Sequence, residues 1–498
     1  MTTLDLFAPA ARAWSPQQRA VFDAVAFDTG HLLVRARAGT GKTTTIVEAL
    51  NRAPRGARVL LCAFNKSIAE ELQGRAPKGV EVCTLHSLGY RALLRHWPGA
   101  KVDKLRDRRI AERVLGPRHA KHWHDFGQVV SLCKARLELD PARIERAVRT
   151  SDLVLPGVTD RQTAALVLEA MDAACERDNC VSFDDMVFVP VAAGLAGGGT
   201  YDMVFVDETQ DMSKAQLELA RMALARETGR LVLVGDDRQA IYGWRGADVG
   251  GMDRMREELD ARELPLSVTY RCGRVIAGLA AEVVPDFEAG AGAPEGAIES
   301  CHVERAGWRE GDAVLSRVNA PLITLALRAL RDGKRARIQG RDIAAGLRNW
   351  IRGLGERAVP ALLRVAEGWL RDELERLGAD DEDAADQARD RVEMLKALSE
   401  GVATADAVLA RVEALFSDAG PGLVFSSTHR AKGLEWNRVF LLAWTYRPER
   451  SEEEENLWYV ALTRAKATLV LVTGERAVTD ERVSDALRAA APRQGAAA

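Results

Sequence analysis

The stretch that most restricts this chain is Ala36-Arg37-Ala38-Gly39-Thr40-Gly41-Lys42-Thr43, which follows an apolar run at His31 to Val34 and opens a helix-like segment. A strand, a glycine-bearing turn and a helix in that order aim successive backbone amides into a concave cradle, and such a cradle takes phosphate. Gly39 and Gly41 permit the turn, Lys42 supplies a point charge for the β- and γ-phosphates, and the Thr43 hydroxyl suits Mg²⁺. The segment therefore implies a nucleoside triphosphate site. Ala36 stands where the general pattern has its first glycine, and a plain glycine-rich turn before a helix is the alternative from this segment alone.

A second piece of nucleotide chemistry is Val204-Phe205-Val206-Asp207-Glu208-Thr209-Gln210-Asp211. An apolar strand ending in two acids puts carboxylates at the carboxyl edge of a sheet, where open α/β sheets bind ligands. Asp207 suits Mg²⁺ held through water, and Glu208 suits polarisation of an attacking water. By itself the pair could equally cap the next helix. Together with the phosphate loop it reads as triphosphate hydrolysis.

Composition narrows the class. With 498 residues, 47% hydrophobic and 28% charged, the chain has room for two or more domains of ordinary globular character. It has no apolar run of membrane-spanning length and no signal-peptide layout at its start, so a cytoplasmic protein without a membrane partner is expected. Seven cysteines without any C-x-x-C spacing argue against a disulfide framework or a four-cysteine metal site. Residues 101 to 150 carry 13 Lys and Arg against 7 Asp and Glu. That excess of six suits a polyanion, and a solvated helical face explains it almost as well.

The hydrophobic pattern predicts α/β structure interrupted twice. Strand-like runs at 31 to 34, 58 to 64, 80 to 84, 201 to 206 and 230 to 234 alternate with helical stretches, as in a parallel sheet covered by helices. A basic helical stretch from about 96 to 180 separates the third from the fourth. A second strand set at 264 to 269, 312 to 317, 422 to 427, 437 to 444 and 466 to 473 predicts a second α/β domain. It too is interrupted, over about 346 to 417, where Asp380-Asp381-Glu382-Asp383 reads as a polar loop between helices. The tail after about 490 has nothing to bury and is expected to be disordered.

The order and spelling of these motifs resemble superfamily 1A DNA helicases of the UvrD/PcrA/Rep type, from about residue 14 to about 473. The resemblance implies two RecA-like P-loop domains. The first is expected over 1–95 and 181–262 with a helical insertion at 96–180, the second over 263–345 and 418–490 with a reduced insertion at 346–417, and a tail at 491–498. Gln18, in Trp14-Ser15-Pro16-Gln17-Gln18, matches the adenine-reading glutamine. The stretch from Gly235 to Asp248 is the most specific in the chain: Gln239 matches the γ-phosphate sensor, and Tyr242, Trp244 and Arg245 match residues that meet single-stranded DNA. Tyr270 and Arg271 match an adenine-stacking tyrosine and an arginine directed at the γ-phosphate, Arg464 a second such arginine. Thr428 and His429 match a DNA-phosphate pair and Glu435 a ribose contact. Phe64, Asn65, Thr84 and His86 match the two early DNA motifs, where aromatics stack on bases and small polar groups hold phosphates. Phe64, Trp244 and His86 also have a plain reading as packed side chains.

Departures from the family pattern are specific. Thr44 and Arg430 stand where members commonly have arginine and serine. The spelling around Ala63 to Ala69, Thr84 to Ser87 and Gly340-Arg341-Asp342-Ile343 looks more like the compact branch that includes F-box DNA helicases and phage-type or bacterial stand-alone relatives, with no F-box visible. The bound molecules implied are ATP, held by Gln18, Ala38, Gly39, Thr40, Gly41, Lys42, Thr43, Thr44, Tyr270 and Glu435, and Mg²⁺, held by Thr43 and Asp207. The implied activity is ATP-dependent 3′ to 5′ translocation on single-stranded DNA with unwinding of tailed duplex, in repair, recombination or replication, by a monomer. A translocase that strips proteins from DNA or gates a partner nuclease, with little unwinding, is the alternative. A nucleotide-switched binding module is disfavoured by the presence of Glu208, Gln239, Arg271 and Arg464. Near the start, Thr3-Leu4-Asp5-Leu6-Phe7 resembles a sliding-clamp binding peptide, with Leu4, Leu6 and Phe7 as its apolar anchors, although short apolar segments also simply cover a domain surface.

Overall fold

The computed structural model describes residues 13–151, 153–195, 200–225, 227–241, 250–377, 382–417 and 420–474. Leu4, Leu6, Phe7, Tyr242, Trp244, Arg245 and the 491–498 tail lie outside the described residues. Contacts divide the chain into two units, Met1–Asp237 with Tyr242–Ser267, and Arg238–Ile241 with Val268–Ala498.

In chain order the first unit holds β1 (Leu32–Ala36), β2 (Val59–Ala63), β3 (Glu81–Thr84), β4 (Lys101–Val102), β5 (Cys180–Val181), β6 (Met203–Asp207), β7 (Arg230–Gly235) and β8 (Arg262–Leu266). Six of these form one sheet in the order β3-β2-β6-β7-β1-β8, every neighbouring pair parallel. β2, β6 and β7 are buried along their whole length. They read as continuous apolar runs because both faces are covered. One face packs Val34, Leu61 and Phe205 against Phe22 and Ile46 from helices Pro16–Phe27 and Lys42–Asn51. The other packs Leu60, Val204 and Leu231 against Leu217 and Ala220 of helix Lys214–Met222.

Between β3 and β6 the chain is mainly helical, with its own core around Phe126, Val167 and Phe188. The short β4 and β5 pair with each other there. A buried ion cluster fastens this region: Lys134 Nζ lies 2.8 Å from Asp185 Oδ1 and 3.1 Å from Asp107, and Arg106 also pairs with Asp185.

The second unit contains β9 (Val268–Thr269), β10 (Glu288–Ala289), β11 (Ala297–His302), β12 (Ala313–Ser316), β13 (Ala336–Ile338), β14 (Leu423–Ser427), β15 (Trp436–Leu442) and β16 (Ala465–Thr473). Its six-stranded sheet runs β11-β16-β15-β12-β14-β13, again all parallel. Helices Arg341–Gly353, Val359–Leu377, Glu382–Ser399 and Ala405–Leu415 lie between β13 and β14 and share its core. The expectation of an α/β chain with two parallel sheets and helical interruptions is met.

Three local expectations differ. Residues 264–266 do not belong to the second sheet; they pair with β1 and close the first. Hydrophobic alternation identifies a strand but not the sheet that receives it. The two-residue strands β4, β5 and β10 lie outside the predicted runs, as do β11 and β13, a polar, half-exposed edge strand and a three-residue edge strand. Of the Asp380–Asp383 run, Asp380 and Asp381 lie outside the described residues, and Glu382 opens a helix instead of lying in a loop. Among the described residues, no helix is long and apolar enough to cross a membrane.

Candidate nucleotide and nucleic-acid site

The phosphate loop is built by β1 and the helix that follows. Gly39 and Gly41 adopt φ of 70° and 82°, a region that side chains with a Cβ rarely enter. Gly41 caps the helix, and its carbonyl accepts from Thr45 Oγ1 at 3.0 Å. Thr40 Oγ1 donates to the Arg37 carbonyl at 2.8 Å, and the Arg37 amide donates to the Leu266 carbonyl of β8, also at 2.8 Å. The Ala38 and Thr40 side chains are buried, which leaves their backbone amides as the groups available to a ligand. Lys42, Thr43 and Thr44 form the first turn and keep partial exposure.

Lys42 is occupied. Its Nζ lies 2.8 Å from Glu208 Oε2. Burial alone would lower the ammonium pKa, but Glu208, Asp207 and Asp236 together hold it above its ordinary value. Glu208 follows β6 with φ of 54°, the left-handed region unusual for a glutamate. Gln210, which sequence reasoning left without a role, ties this carboxylate to the end of β7. Its Nε2 donates to Glu208 Oε2 at 2.5 Å, and its Oε1 accepts from the Asp236 amide at 2.9 Å. Gly235 makes room, because a Cβ there would sit 2.6 Å from Gln210 Oε1.

Asp207 is almost fully buried, and its Oδ1 accepts from the Glu208 amide at 2.9 Å. Burial, then the neighbouring Glu208 charge, push its carboxyl up to about 6. Among the described residues no three His, Cys, Asp or Glu side chains converge as a metal site. A carboxylate and a threonine hydroxyl are hard oxygen donors. They fit Mg²⁺, which keeps several waters and takes the rest of its shell from phosphate.

Arg37 is the other residue that sequence reasoning passed over. Its guanidinium lies 3.1 Å from Asp236 Oδ1 and 2.7 Å from Asp237 Oδ1. Arg35 reinforces the arrangement through Asp237, Asp253 and Glu263 at 2.9, 2.7 and 2.8 Å. Two arginines thus bind the phosphate loop and its strand to the turn ahead of Gln239.

Gln18 is buried, accepting from the Ser15 amide at 3.1 Å and donating to Thr45 Oγ1 at 3.1 Å. Its amide completes a capping box with one bond at each end, which leaves one N–H and one lone pair for a further partner. Asn65 and Thr84 likewise cap helices, accepting from Ile68 and Ser87 amides at 2.9 and 3.1 Å. Phe64, by contrast, is 43% exposed. A shallow groove is lined by Phe64, His86, Asp207, Glu208 and Asp211. It joins the candidate DNA residues that follow β2 and β3 to the acidic end of β6. Exposed Phe183 meets His86 edge-on with centroids 6.4 Å apart and belongs to the same neighbourhood.

The remaining candidates lie in the second unit. Arg271 Nε is 2.7 Å from Glu435 Oε2 and its Nη1 donates to the Thr463 carbonyl at 3.3 Å, while Lys466 approaches Glu435 at 3.4 Å. Tyr270 is exposed. Arg464 is 1% exposed, its guanidinium donating to the Val460 and Leu434 carbonyls at 2.9 and 3.2 Å. In this arrangement it braces the backbone. Thr428 is fully buried, bonded to the Tyr446 hydroxyl and to the Ser316 carbonyl, so its side chain is directed inward. Burial, then Arg317 and Lys432, lower His429 to about 3, leaving a neutral imidazole. Arg430 pairs with Asp342 in the first turn of helix Arg341–Gly353. The Gln239 carbonyl accepts from Lys432 Nζ at 2.7 Å.

Comparison with known proteins gives the same direction. Residues 14–260 match the UvrD/REP helicase N-terminal domain, and residues 422–472 match the UvrD-like helicase C-terminal domain. DNA helicase II of Salmonella typhimurium is 27% identical over 280 residues, covering 50% of this chain and 37% of that protein. F-box DNA helicase protein 1 of Schizosaccharomyces pombe is 24% identical over 512 residues, covering 88% of this chain and 55% of that protein. ATP-dependent DNA helicase UvrD2 of Mycobacterium bovis is 28% identical over 557 residues, covering 91% of this chain and 78% of that protein. The chain therefore spans little more than a third of the length of the DNA helicase II relative.

Proposed function

Because this chain belongs to the UvrD-like helicase family, we propose that it is an ATP-driven motor that moves 3′ to 5′ along single-stranded DNA and separates duplex ahead of it. The observation that carries the reading is the chain of contacts Lys42–Glu208–Gln210–Asp236–Arg37 at the carboxyl ends of β1, β6 and β7. Lys42 and Glu208 neutralise each other at rest. A triphosphate entering the loop offers Lys42 oxygens of higher charge, and Glu208 is released. The freed carboxylate, still oriented by Gln210, is then the group that takes up and polarises water. Mg²⁺, held by Asp207 and Thr43, would supply charge neutralisation on the phosphates.

The shared lining of Glu208, Phe64 and His86 supports coupling to DNA, since the hydrolytic carboxylate and the candidate DNA residues border one groove. Strand displacement with 3′-tailed and 5′-tailed duplexes, run beside displacement of a protein from single strands, tests the proposal. ATP-dependent unwinding of the 3′-tailed substrate alone is expected. Displacement of protein without unwinding would replace the helicase reading with that of a translocase, and unwinding from 5′ tails would overturn the polarity.

A further inference from the structure

Two cysteines stand side by side at the edge of the first sheet. Cys62 on β2 and Cys83 on β3 are register partners, and both belong to the face packed with Leu60, Val204 and Val206. Their thiols are close enough to shift each other's ionisation. Cys62 is fully buried, whereas Cys83 keeps partial exposure. Arg91, from helix Leu85–His96, places Nη2 3.3 Å from Cys83 Sγ. The neighbouring Cys62 thiol, then the Arg91 charge, hold the Cys83 thiol below its ordinary pKa, while the Cys83 neighbour and burial raise Cys62. A partly exposed thiol beside a guanidinium is the setting in which cysteines react, and a second thiol on the neighbouring strand is what resolves the product.

We propose that Cys62 and Cys83 form an oxidative modification site, a dithiol that a hydroperoxide converts to a disulfide across β2 and β3. With hydrogen peroxide, the Cys83 thiolate attacks one oxygen. An S–O bond forms as the O–O bond breaks, and the departing hydroxide takes the proton that Cys83 released, leaving as water. The Cys62 sulfur then attacks the Cys83 sulfenic sulfur. The S–S bond forms as the S–O bond breaks, and the hydroxide leaves with the Cys62 proton as a second water. Two thiols lose two electrons to one peroxide.

The topology permits closure. Parallel neighbours lie about 4.8 Å apart, inside the Cα range of disulfides, although the Cβ atoms must approach further, to about 3.8 Å. That movement falls on β3, a four-residue edge strand whose one neighbour in the sheet is β2. β3 ends in Thr84, which caps the helix carrying His86 and Arg91. Closing the bond therefore pulls on one wall of the Phe64–His86 groove. The expected consequence, which rests on the function proposed above, is weaker binding of single-stranded DNA.

The test uses the full chain treated with a small excess of hydrogen peroxide, alkylated, digested without reductant and mapped by mass spectrometry. A Cys62–Cys83 linked peptide that dithiothreitol removes is expected. Cys133 and Cys272, whose thiols burial raises to about 11, serve as unreactive references. In Cys62→Ala, oxidation should stop at a Cys83 sulfenic acid that dimedone captures. An unmodified Cys83 beside oxidised reference thiols, or Cys83 linked to a different cysteine, would overturn the proposal. Single-strand affinity, measured by fluorescence anisotropy, should fall several-fold on oxidation of the wild type and recover with reductant. A mapped disulfide with unchanged DNA affinity keeps the modification site and refutes its link to the groove.

Discussion

Arg37→Met isolates the contact that fixes the phosphate loop. The wild-type guanidinium spans Asp236 at 3.1 Å and Asp237 at 2.7 Å, and the Asp236 side chain is fully buried. Asp237 keeps Arg35 at 2.9 Å, so the penalty falls mainly on Asp236. Removing one partner of a buried ion pair costs about 3–5 kcal/mol, and the retained Arg35 places this case near the lower end. An effect of about 3 kcal/mol corresponds to roughly a hundredfold in an opening equilibrium. Amide hydrogen exchange across β1 and β7 measures that equilibrium locally, without assuming that the two units unfold together. Exchange of the most protected amides should accelerate about a hundredfold in Arg37→Met. Asp236→Asn in the same background should restore most of the protection, because a neutral amide needs no cation. Exchange within about threefold of wild type in Arg37→Met, or strictly additive effects of the two changes, would refute the clamp.

Other outcomes follow from the same geometry. Asp185→Asn should cost about 3 kcal/mol by leaving Lys134 and Arg106 buried without their shared carboxylate, read as faster exchange in helix Trp123–Arg136. Although burial opposes it, Lys134 and Arg106 hold the Asp185 carboxyl below its ordinary value, so its contribution is complete above the unfolded-state pKa and fades as pH falls through the folded one. His429 should show no NMR titration between pH 5 and 8. Its stabilising contribution is complete above about 6.5 and declines as pH falls from there toward about 3, and a midpoint near 6.5 in the folded protein would contradict the burial argument. Gly235→Ala must displace Gln210 from Asp236 and Glu208. It should lower the rate of ATP hydrolysis more than nucleotide affinity, and unchanged turnover would remove Gln210 from the mechanism.

The parts of the fold written in local pattern were legible in the chain. β1, the glycines at 39 and 41 and the helix from Lys42 follow directly from an apolar run, two flexible residues and an amphipathic segment. What escaped depends on contacts between distant positions. Arg37 reads as an arbitrary loop residue until Asp236 and Asp237, about two hundred positions away, are brought beside it by the pairing of β1 with β7. Gln210 and Gly235 are related in the same way. β8 pairs with β1 and not with the second sheet, and nothing in Glu263-Leu264-Pro265-Leu266 specifies that partner. Thr428 and Arg464 are buried and bond to Tyr446 and to backbone carbonyls, contacts that the motifs do not disclose. Cys62 and Cys83 lie twenty-one positions apart and acquire meaning only as register partners.

The central claim is that Lys42, paired with Glu208 at rest, is the cation through which triphosphate binding becomes work on DNA. Steady-state ATP hydrolysis by Lys42→Ala, measured with and without single-stranded DNA beside an equilibrium DNA-binding assay, tests it most directly. The account predicts loss of hydrolysis under both conditions with single-strand affinity largely retained. Hydrolysis by Lys42→Ala at the wild-type rate would contradict it.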